Sequence, residues 1–348
     1  MGIDDVTAEW LAQVTGIPPG ARVTREVVGA GQVAQCFRLS ATWANESRSF
    51  VVKVPSADET SRATASFQRL YLREVSFYRD LAPSLATRTP HCYYVEHDPS
   101  DDSFLLLLED LAPSSSHDQF KGLDPRAVRD GLFQLATLHA ATYAQPQLFA
   151  ADWLAGTAEA LRPVIAAILP DLFAQFLERY DEMLDTATRE HVETLAERLG
   201  SFVQYESPHL VLQHGDFRTD NLLFDARGGD VPIAVVDWQT VSVGSPLLDV
   251  AYFLATSLSE ADFAAGAERL LLYYLEHAAR RGLVIEEGLA RREFARFTLQ
   301  PIVMSVAASM IVERTPRGDE MFLTMIRRGV VAASKWRALE ELEHGVTS

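Results

Sequence analysis

The segment His214–Asn221, which reads His-Gly-Asp-Phe-Arg-Thr-Asp-Asn, constrains the fold more than any other part of the chain. Apolar residues flank it on both sides and predict two short strands, Leu210–Gln213 and Asn221–Asp225. The polar residues between these strands therefore form a loop. Because a step of five residues leads from Asp216 to Asn221, the loop places a carboxylate and an amide around one small cavity.

A second acidic motif, Asp237-Trp-Gln, begins sixteen residues after Asn221. The apolar run Ile233–Asp237 follows the turn residues Arg227–Asp230, and this pattern predicts a hairpin that returns Asp237 to the neighbourhood of Asn221. The side-chain oxygen atoms of Asn221 and Asp237 suit Mg²⁺, a hard cation that bridges nucleotide phosphates. The carboxylate of Asp216 can accept a proton from a hydroxyl group.

These motifs resemble the catalytic and metal-binding loops of the protein-kinase-like fold. His-Gly-Asp at 214–216 and Asp-Trp-Gln at 237–239 are similar to the small-molecule branch, which includes aminoglycoside phosphotransferases and choline kinases. The run from Asp237 to Leu254 is most similar to the ecdysteroid-kinase-like subgroup, and the resemblance covers roughly residues 23 to 255.

The resemblance implies an α+β, two-lobed fold, with a small lobe of antiparallel sheet plus helix and a large, mostly helical lobe. It implies transfer of the γ-phosphate of ATP, with Mg²⁺, to a hydroxyl group of a small molecule. Asp216 would be the general base, and Asn221 and Asp237 would hold the metal ion. The expected parts are residues 1–108 for the nucleotide, 109–123 as hinge and linker, and 124–348 for catalysis and substrate.

The N-terminal half contains a candidate cation for the nucleotide phosphates. Phe50–Val54 predicts an apolar strand interrupted by Lys53, and Ala63–Leu81 predicts one helix with an apolar stripe. That stripe comprises Phe67, Leu70, Tyr71, Phe77, Tyr78 and Leu81. Glu74 also falls on it, and a carboxylate on a buried face needs a partner. The resemblance implies that Lys53 pairs with Glu74; the alternatives are a surface lysine and a pair between Glu74 and Arg73.

Two further segments are candidates for nucleotide contact. Two predicted strands flank a turn that contains Gly29 and Gly31, whose backbone amides can cradle phosphates, although such a pair is also common in plain turns. The buried strand Ser103–Leu108 leads directly to Glu109-Asp-Leu111. By resemblance this is the hinge between lobes, and backbone groups at Glu109 and Leu111 would bond adenine.

Arg218 lies two residues after Asp216, where many kinases of this fold carry a lysine. A guanidinium there can neutralise charge that grows on the transferred phosphate. A local ion pair with Asp220 or Asp225 is the alternative.

Three other residues have expected structural roles. A helix is predicted from 124 to about 143, with His139 packed on its inward face and bonded to backbone. We expect His214 to brace the catalytic loop rather than bind metal. Asp249 resembles the structural Asp of small-molecule kinases, which steadies the loop that carries Asp216.

Composition is that of an ordinary globular protein, with 48% hydrophobic and 23% charged residues. The formal net charge of −17 argues against nonspecific binding to nucleic acid or to anionic membranes. Cys36 and Cys92 have no disulfide or metal-ligand spacing, which fits a reducing compartment.

The acidic start has no leader features, so we expect a mature chain that begins near Met1 and is cytoplasmic. The most membrane-like stretch, Leu299–Val312, is too short to span a bilayer and predicts a buried helix.

The acceptor is predicted to be a small-molecule alcohol, because only eleven residues separate Asp237 from Asp249 and leave no room for a peptide groove. Tyr252 is one of several large residues that could form an apolar pocket wall, although such residues are more often core. A pseudokinase that binds ATP to regulate a partner is one alternative. A metal-dependent hydrolase is another, built from His214, Asp216, Asp220, Asp237 and Asp249. The sequence leaves open the acceptor (aminoglycoside, choline-like, steroid- or lipid-like), ATP against GTP, and the oligomeric state.

Overall fold

A computed structural model describes residues 2–29, 33–115 and 117–343, with the backbone alone for 155–159. The chain divides into two compact units. The first unit comprises Met1–Ser114 and Asp225–Thr240, and the second comprises Ser115–Phe224 and Val241–Ser348. The segment that carries Asp237 thus groups with the N-terminal residues, whereas the sequence boundaries assigned it to the part from 124 onward.

The strands, in chain order, are β1 (Arg22–Val27), β2 (Ala34–Trp43), β3 (Glu46–Pro55), β4 (Cys92–Asp98), β5 (Ser103–Glu109), β6 (Val211–Gln213), β7 (Leu222–Ala226), β8 (Val231–Val235) and β9 (Ser242–Gly244). The helices are α1 (Ala8–Thr15), α2 (Glu59–Phe67), α3 (Leu70–Ser76), α4 (Pro125–Thr142), α5 (Pro146–Phe149), α6 (Asp152–Arg179), α7 (Thr186–Glu197), α8 (Leu199–Val203), α9 (Pro246–Ser257), α10 (Glu260–Ala279), α11 (Glu287–Phe297), α12 (Gln300–Ile311), α13 (Pro316–Trp336) and α14 (Ala338–Glu341).

The first unit is built on an antiparallel sheet with the order β1-β2-β3-β5-β4. Along β3 the side chains alternate between the two faces of the sheet. Phe50, Val52 and Val54 contribute to an apolar core with Leu39, Leu105 and Leu107. Lys53, between them, points to the opposite face of the sheet. The predicted strands around Lys53 and before Glu109 are confirmed.

The prediction of a single helix over Ala63–Leu81 is wrong. The chain instead forms α2 and α3, followed by a π-helical turn at Phe77–Leu81. Arg69 separates the two helices because its backbone is left-handed, with φ 53°. The break changes the direction of the faces, so Phe67 is 58% exposed although Glu74 is buried as expected.

The second unit is mainly helical. The side chain of Asp124 caps α4 by accepting from the N–H groups of Arg126 and Ala127, at 2.8 and 3.0 Å, and Pro125 occupies the first turn. The helix buries His139, as predicted, together with Val128, Leu132, Leu135 and Leu138. The predicted helix over Leu299–Val312 is α12, and half of its twelve residues are buried.

Two helical stretches of the described chain, Ala160–Arg179 and Glu287–Ile311, could cross a membrane by length and composition alone. Both are longer than the stretch that the sequence suggested. In the second, 67% of the apolar window is buried inside the protein, and in the first 17%. Such helices are weak evidence for a membrane span, because core helices of soluble proteins meet the same criteria.

Packing of α4 predicts a sensitive position at Gly131. A Cβ atom at this residue would lie 2.5 Å from Cζ of Phe253, which is fully buried. We expect Gly131→Ala to reduce the free energy of unfolding by about 1–3 kcal/mol, because an overpacked core must shift to admit the methyl group. Gly200→Ala in α8 is the matched control, since nothing lies within 4 Å of its added Cβ. Urea unfolding of both variants measures the difference, and equal stabilities would contradict it.

Candidate active site

The first unit brings Lys53, Glu74 and Asp237 together. Nζ of Lys53 lies 2.9 Å from Oε1 and 2.7 Å from Oε2 of Glu74. It also lies 2.8 Å from Oδ1 of Asp237. The pair between Lys53 and Glu74 is therefore formed, and the alternative of a surface lysine is wrong. The side chain of Glu74 is 2% exposed and that of Asp237 is 30% exposed, so Asp237 is the carboxylate that an added cation could reach.

Charge balance keeps the lysine protonated. Burial alone would lower the pKa of Lys53, but the carboxylates of Asp237 and Glu74 outweigh it and raise the pKa above its ordinary value. Burial raises the pKa of Glu74, against the attraction of Lys53. Asp237 lies nearer to solvent and shares the same ammonium group.

Asp237 is held in an uncommon backbone conformation, with φ 64°. A left-handed backbone costs free energy for a residue other than glycine, although aspartate tolerates it better than most. The next residue, Trp238, is fully buried and stacks on Phe77 with ring centroids 3.9 Å apart. Its indole N–H donates to the carbonyl of Val235. Packing of Trp238 therefore fixes the turn that aims Asp237 at Lys53.

The other nucleotide candidates are also in the first unit. Gly29 has φ 77°, a conformation that favours glycine, whereas Gly31 lies outside the described residues. At the end of β5 the N–H of Glu109 donates to the carbonyl of His91, and the N–H of Arg227 donates to the carbonyl of Leu111. The Glu109 N–H and the Leu111 carbonyl are therefore engaged within the protein.

Cys36 lies opposite Lys53 in the pairing of β2 with β3. Burial raises the pKa of the Cys36 thiol to about 11 and that of the Cys92 thiol to about 12. Because the thiolate is the nucleophile, we expect iodoacetamide at about pH 8.5 to alkylate both thiols more slowly in the native protein than in urea, by roughly 100-fold for Cys36 and by more for Cys92. Intact-mass kinetics measure the two rates, and equal rates would contradict the expectation.

The second unit carries the candidate catalytic loop, His214–Asn221, between β6 and β7. Nδ2 of Asn221 donates to the main-chain oxygen of Asp216 at 2.8 Å and to its Oδ2 at 2.9 Å. The amide nitrogen is thus used within the loop, and the amide oxygen is the atom that would bind a metal ion. These contacts bring together the two residues that the five-residue step predicts to be close.

Arg218 covers the same carboxylate. Its Nε lies 3.2 Å from both carboxylate oxygens of Asp216, and its Nη1 forms an ion pair with Asp220. Burial alone would lower the pKa of Arg218, but Asp216 and its neighbours raise it, so the guanidinium stays charged. Arg218 therefore forms the local ion pair with Asp220 that was the alternative prediction. Asp216 is an additional partner that the sequence did not suggest.

Asp249 anchors the loop, as expected. Its Oδ2 accepts from the N–H of His214 at 2.7 Å, and its Oδ1 accepts from the N–H of Gly215 at 2.9 Å. His214 is buried, and its Nδ1 accepts from the N–H of Asp216 at 3.3 Å. The expectation that His139 bonds backbone is wrong: its ring contacts Asp249 at 3.2 Å and the hydroxyl of Tyr274 at 2.8 Å. A buried carboxylate and a buried phenol offered it side-chain partners that the sequence spacing does not reveal.

Sequence reasoning named Tyr252 only as a possible pocket wall and missed its contact with Asp216. Its hydroxyl donates to Oδ1 of Asp216 at 2.8 Å. A signal was present in the sequence, because residues three apart on a helix share a face and Tyr252 follows Asp249 by three. Since Asp249 faces the catalytic loop, Tyr252 had to face it too.

A model of the ecdysteroid kinase-like family matches residues 29–282. Acyl-CoA dehydrogenase family member 10 of Mus musculus is 51% identical over 41 residues, and family member 11 of Homo sapiens is 50% identical over 42. Each alignment covers 12% of this chain and only 4% or 5% of the relative, so the chain spans a small part of their length.

Two solved structures share the fold over most of the chain. A putative aminoglycoside phosphotransferase from Ralstonia eutropha JMP134 has a TM-score of 0.56 and 15% identity, covering 95% of this chain and 96% of its own. The GDP complex of aminoglycoside 2'-phosphotransferase-IIIa has a TM-score of 0.52 and 15% identity, covering 95% and 99%. These similarities confirm the predicted α+β, protein-kinase-like fold. The family model matches most of the length of this chain, and the chain therefore belongs to the ecdysteroid kinase-like family.

Proposed function

We propose that the protein is an ATP- and Mg²⁺-dependent phosphotransferase that moves the γ-phosphate to a hydroxyl group of a small molecule. The observation that carries the proposal is the buried ammonium of Lys53 between Glu74 and Asp237, at 2.7–2.9 Å. A lysine held by a helix glutamate, beside a metal-binding aspartate, is the arrangement that kinases use to grip nucleotide phosphates.

Asp237 and Asn221 are the proposed donors to a magnesium ion. Asp237 supplies a partly exposed carboxylate, and Asn221 supplies an amide oxygen, so the donors are the oxygen atoms that this ion prefers. When bound, Mg²⁺ would neutralise charge on the β- and γ-phosphates. In the described residues no group of three or more His, Cys, Asp or Glu side chains is placed to hold a metal ion. Two side chains suit a cation that takes its other ligands from phosphates and water.

The chain's own residues would perform the transfer as follows. Lys53 holds the nucleotide phosphates, and the Asp216 carboxylate accepts a hydrogen bond from the acceptor hydroxyl. The hydroxyl oxygen attacks the γ-phosphorus, and the bond between the γ-phosphorus and the bridging oxygen breaks, so that this oxygen leaves with ADP. The hydroxyl proton passes to Asp216. Arg218 lies against Asp216 and would offset charge that grows on the transferred group.

The direct test is incubation of the protein with Mg²⁺-ATP or Mg²⁺-GTP and a panel of acceptors. An ecdysteroid, choline, kanamycin and simple alcohols cover the acceptor classes that the sequence leaves open. Mass spectrometry would detect the gain of one phosphate on the acceptor. Absence of any product, together with absence of phosphate release from the nucleotide, would exclude the proposal.

Two alternatives make different predictions. A pseudokinase would bind Mg²⁺-ATP without forming a phosphorylated product, although all expected catalytic side chains are present in the sequence. A metal-dependent hydrolase would cleave phosphoesters without nucleotide. Two of its proposed ligands are otherwise engaged, because Asp249 binds the backbone of the loop and Asp220 pairs with Arg218.

A further inference from the structure

The hydroxyl of Tyr252 is directed at the carboxylate of Asp216. Tyr252 lies in α9 and is 2% exposed. Its hydroxyl donates to Oδ1 of Asp216 at 2.8 Å. Burial raises the pKa of Tyr252 well above its ordinary value, and the carboxylate of Asp216 adds to this effect. The phenol therefore stays protonated and acts as a donor.

The second oxygen of the same carboxylate has a different donor. Nδ2 of Asn221 lies 2.9 Å from Oδ2 of Asp216, and Nε of Arg218 lies 3.2 Å from each oxygen. Rotation of the carboxylate about its Cβ–Cγ bond would break the contacts with Tyr252 and Asn221 together. The two neutral donors thus define one orientation of the group.

Helix α9 also fixes the backbone beneath this carboxylate. Asp249, one turn before Tyr252 on the same face, accepts hydrogen bonds from the N–H groups of His214 and Gly215. One helix therefore holds the main chain of the catalytic loop through Asp249 and the side chain of Asp216 through Tyr252. An aspartate placed this way keeps its geometry without a bound substrate.

We infer that Tyr252 is a positioning residue, whose hydroxyl holds the Asp216 carboxylate in the orientation that receives the acceptor hydroxyl. The inference rests on the proposed function, because it assigns Tyr252 a role only through Asp216. The competing explanation is that a buried tyrosine has simply found a hydrogen-bond partner, as buried tyrosines usually do.

The test is Tyr252→Phe, which removes the hydroxyl and keeps the ring. With the best acceptor of the panel, or with water as acceptor and phosphate release as readout, we expect kcat to fall roughly 10- to 100-fold. KM for ATP and the Kd of Mg²⁺-ATP should stay within about two-fold, since Tyr252 contacts the base and not the nucleotide.

Tyr180→Phe is the matched control. Tyr180 is also a buried tyrosine of the second unit, and its hydroxyl donates to a carboxylate, Oδ1 of Asp319, at 2.5 Å. It should lose a comparable amount of thermal stability while kcat stays within about two-fold of the parent. Equal kcat values in both variants and the parent would overturn the inference and leave Tyr252 a structural residue.

A double variant separates this inference from the proposed function. If Tyr252 acts through Asp216, adding Tyr252→Phe to Asp216→Asn should cause no further loss of kcat. A further loss as large as that of the single variant would show an independent role and overturn the inference. If the unmodified protein phosphorylates no acceptor and releases no phosphate to water, both the proposed function and this inference are wrong. Loss of activity in Asp216→Asn with full activity in Tyr252→Phe would overturn this inference alone.

Discussion

Asp216→Asn is expected to lower kcat by roughly 10²- to 10⁴-fold, the usual contribution of a general base. The amide keeps the size of the carboxylate but cannot take the proton of the acceptor hydroxyl. Binding of Mg²⁺-ATP should persist, because the Lys53 contacts that hold nucleotide phosphates in our proposal do not involve Asp216. Steady-state kinetics and calorimetric titration with Mg²⁺-ATP measure the two quantities.

Asp237→Ala is the comparison variant for this experiment. It removes a proposed metal ligand, so its defect should be weaker nucleotide binding that depends on Mg²⁺ concentration. Asp216→Asn therefore tests the catalytic step, and Asp237→Ala tests nucleotide binding. Full turnover in Asp216→Asn would exclude this residue as the base, whatever the result for Asp237→Ala.

Lys53→Met is expected to reduce kcat/KM for ATP by roughly 10²- to 10³-fold, the range found when one group that stabilises developing charge is removed. The substitution also leaves Glu74 without its cation in a buried position. Removal of one partner from a buried ion pair costs about 3–5 kcal/mol of stability. Kinetics at saturating acceptor and urea unfolding measure the two effects.

A second substitution separates the stability effect from the catalytic one. Lys53→Met combined with Glu74→Gln removes the buried unpaired charge and leaves only the partly exposed Asp237 without its cation, so most of the stability should recover while activity stays low. Arg48→Met, on the same strand but exposed, is the control for loss of a cation from β3. Activity that is indifferent to Lys53→Met would favour the metal-dependent hydrolase instead.

The proximity of Asp216 and Asn221 was predictable because local spacing fixes it. The step from Asp216 to Asn221 is short, and both flanking strands are apolar, so the loop between them has little freedom. The contact of Lys53 with Glu74 joins residues 21 positions apart, and it was predicted by resemblance and by the burial of a carboxylate. The helix break at Arg69 was not predictable, because the apolar stripe continues through it.

The sequence by itself determined the acidic motifs, the strands around them, the start of α4 and the need of a buried Glu74 for a partner. Each of these depends on the period of a strand or helix, or on the cost of burying a charge. Only the tertiary structure decided the partners of His139, the two contacts of Arg218 and the hydrogen bond from Tyr252 to Asp216. Those contacts join side chains from separate elements, and their partners are selected by packing distance and direction, which residue spacing along the chain does not encode.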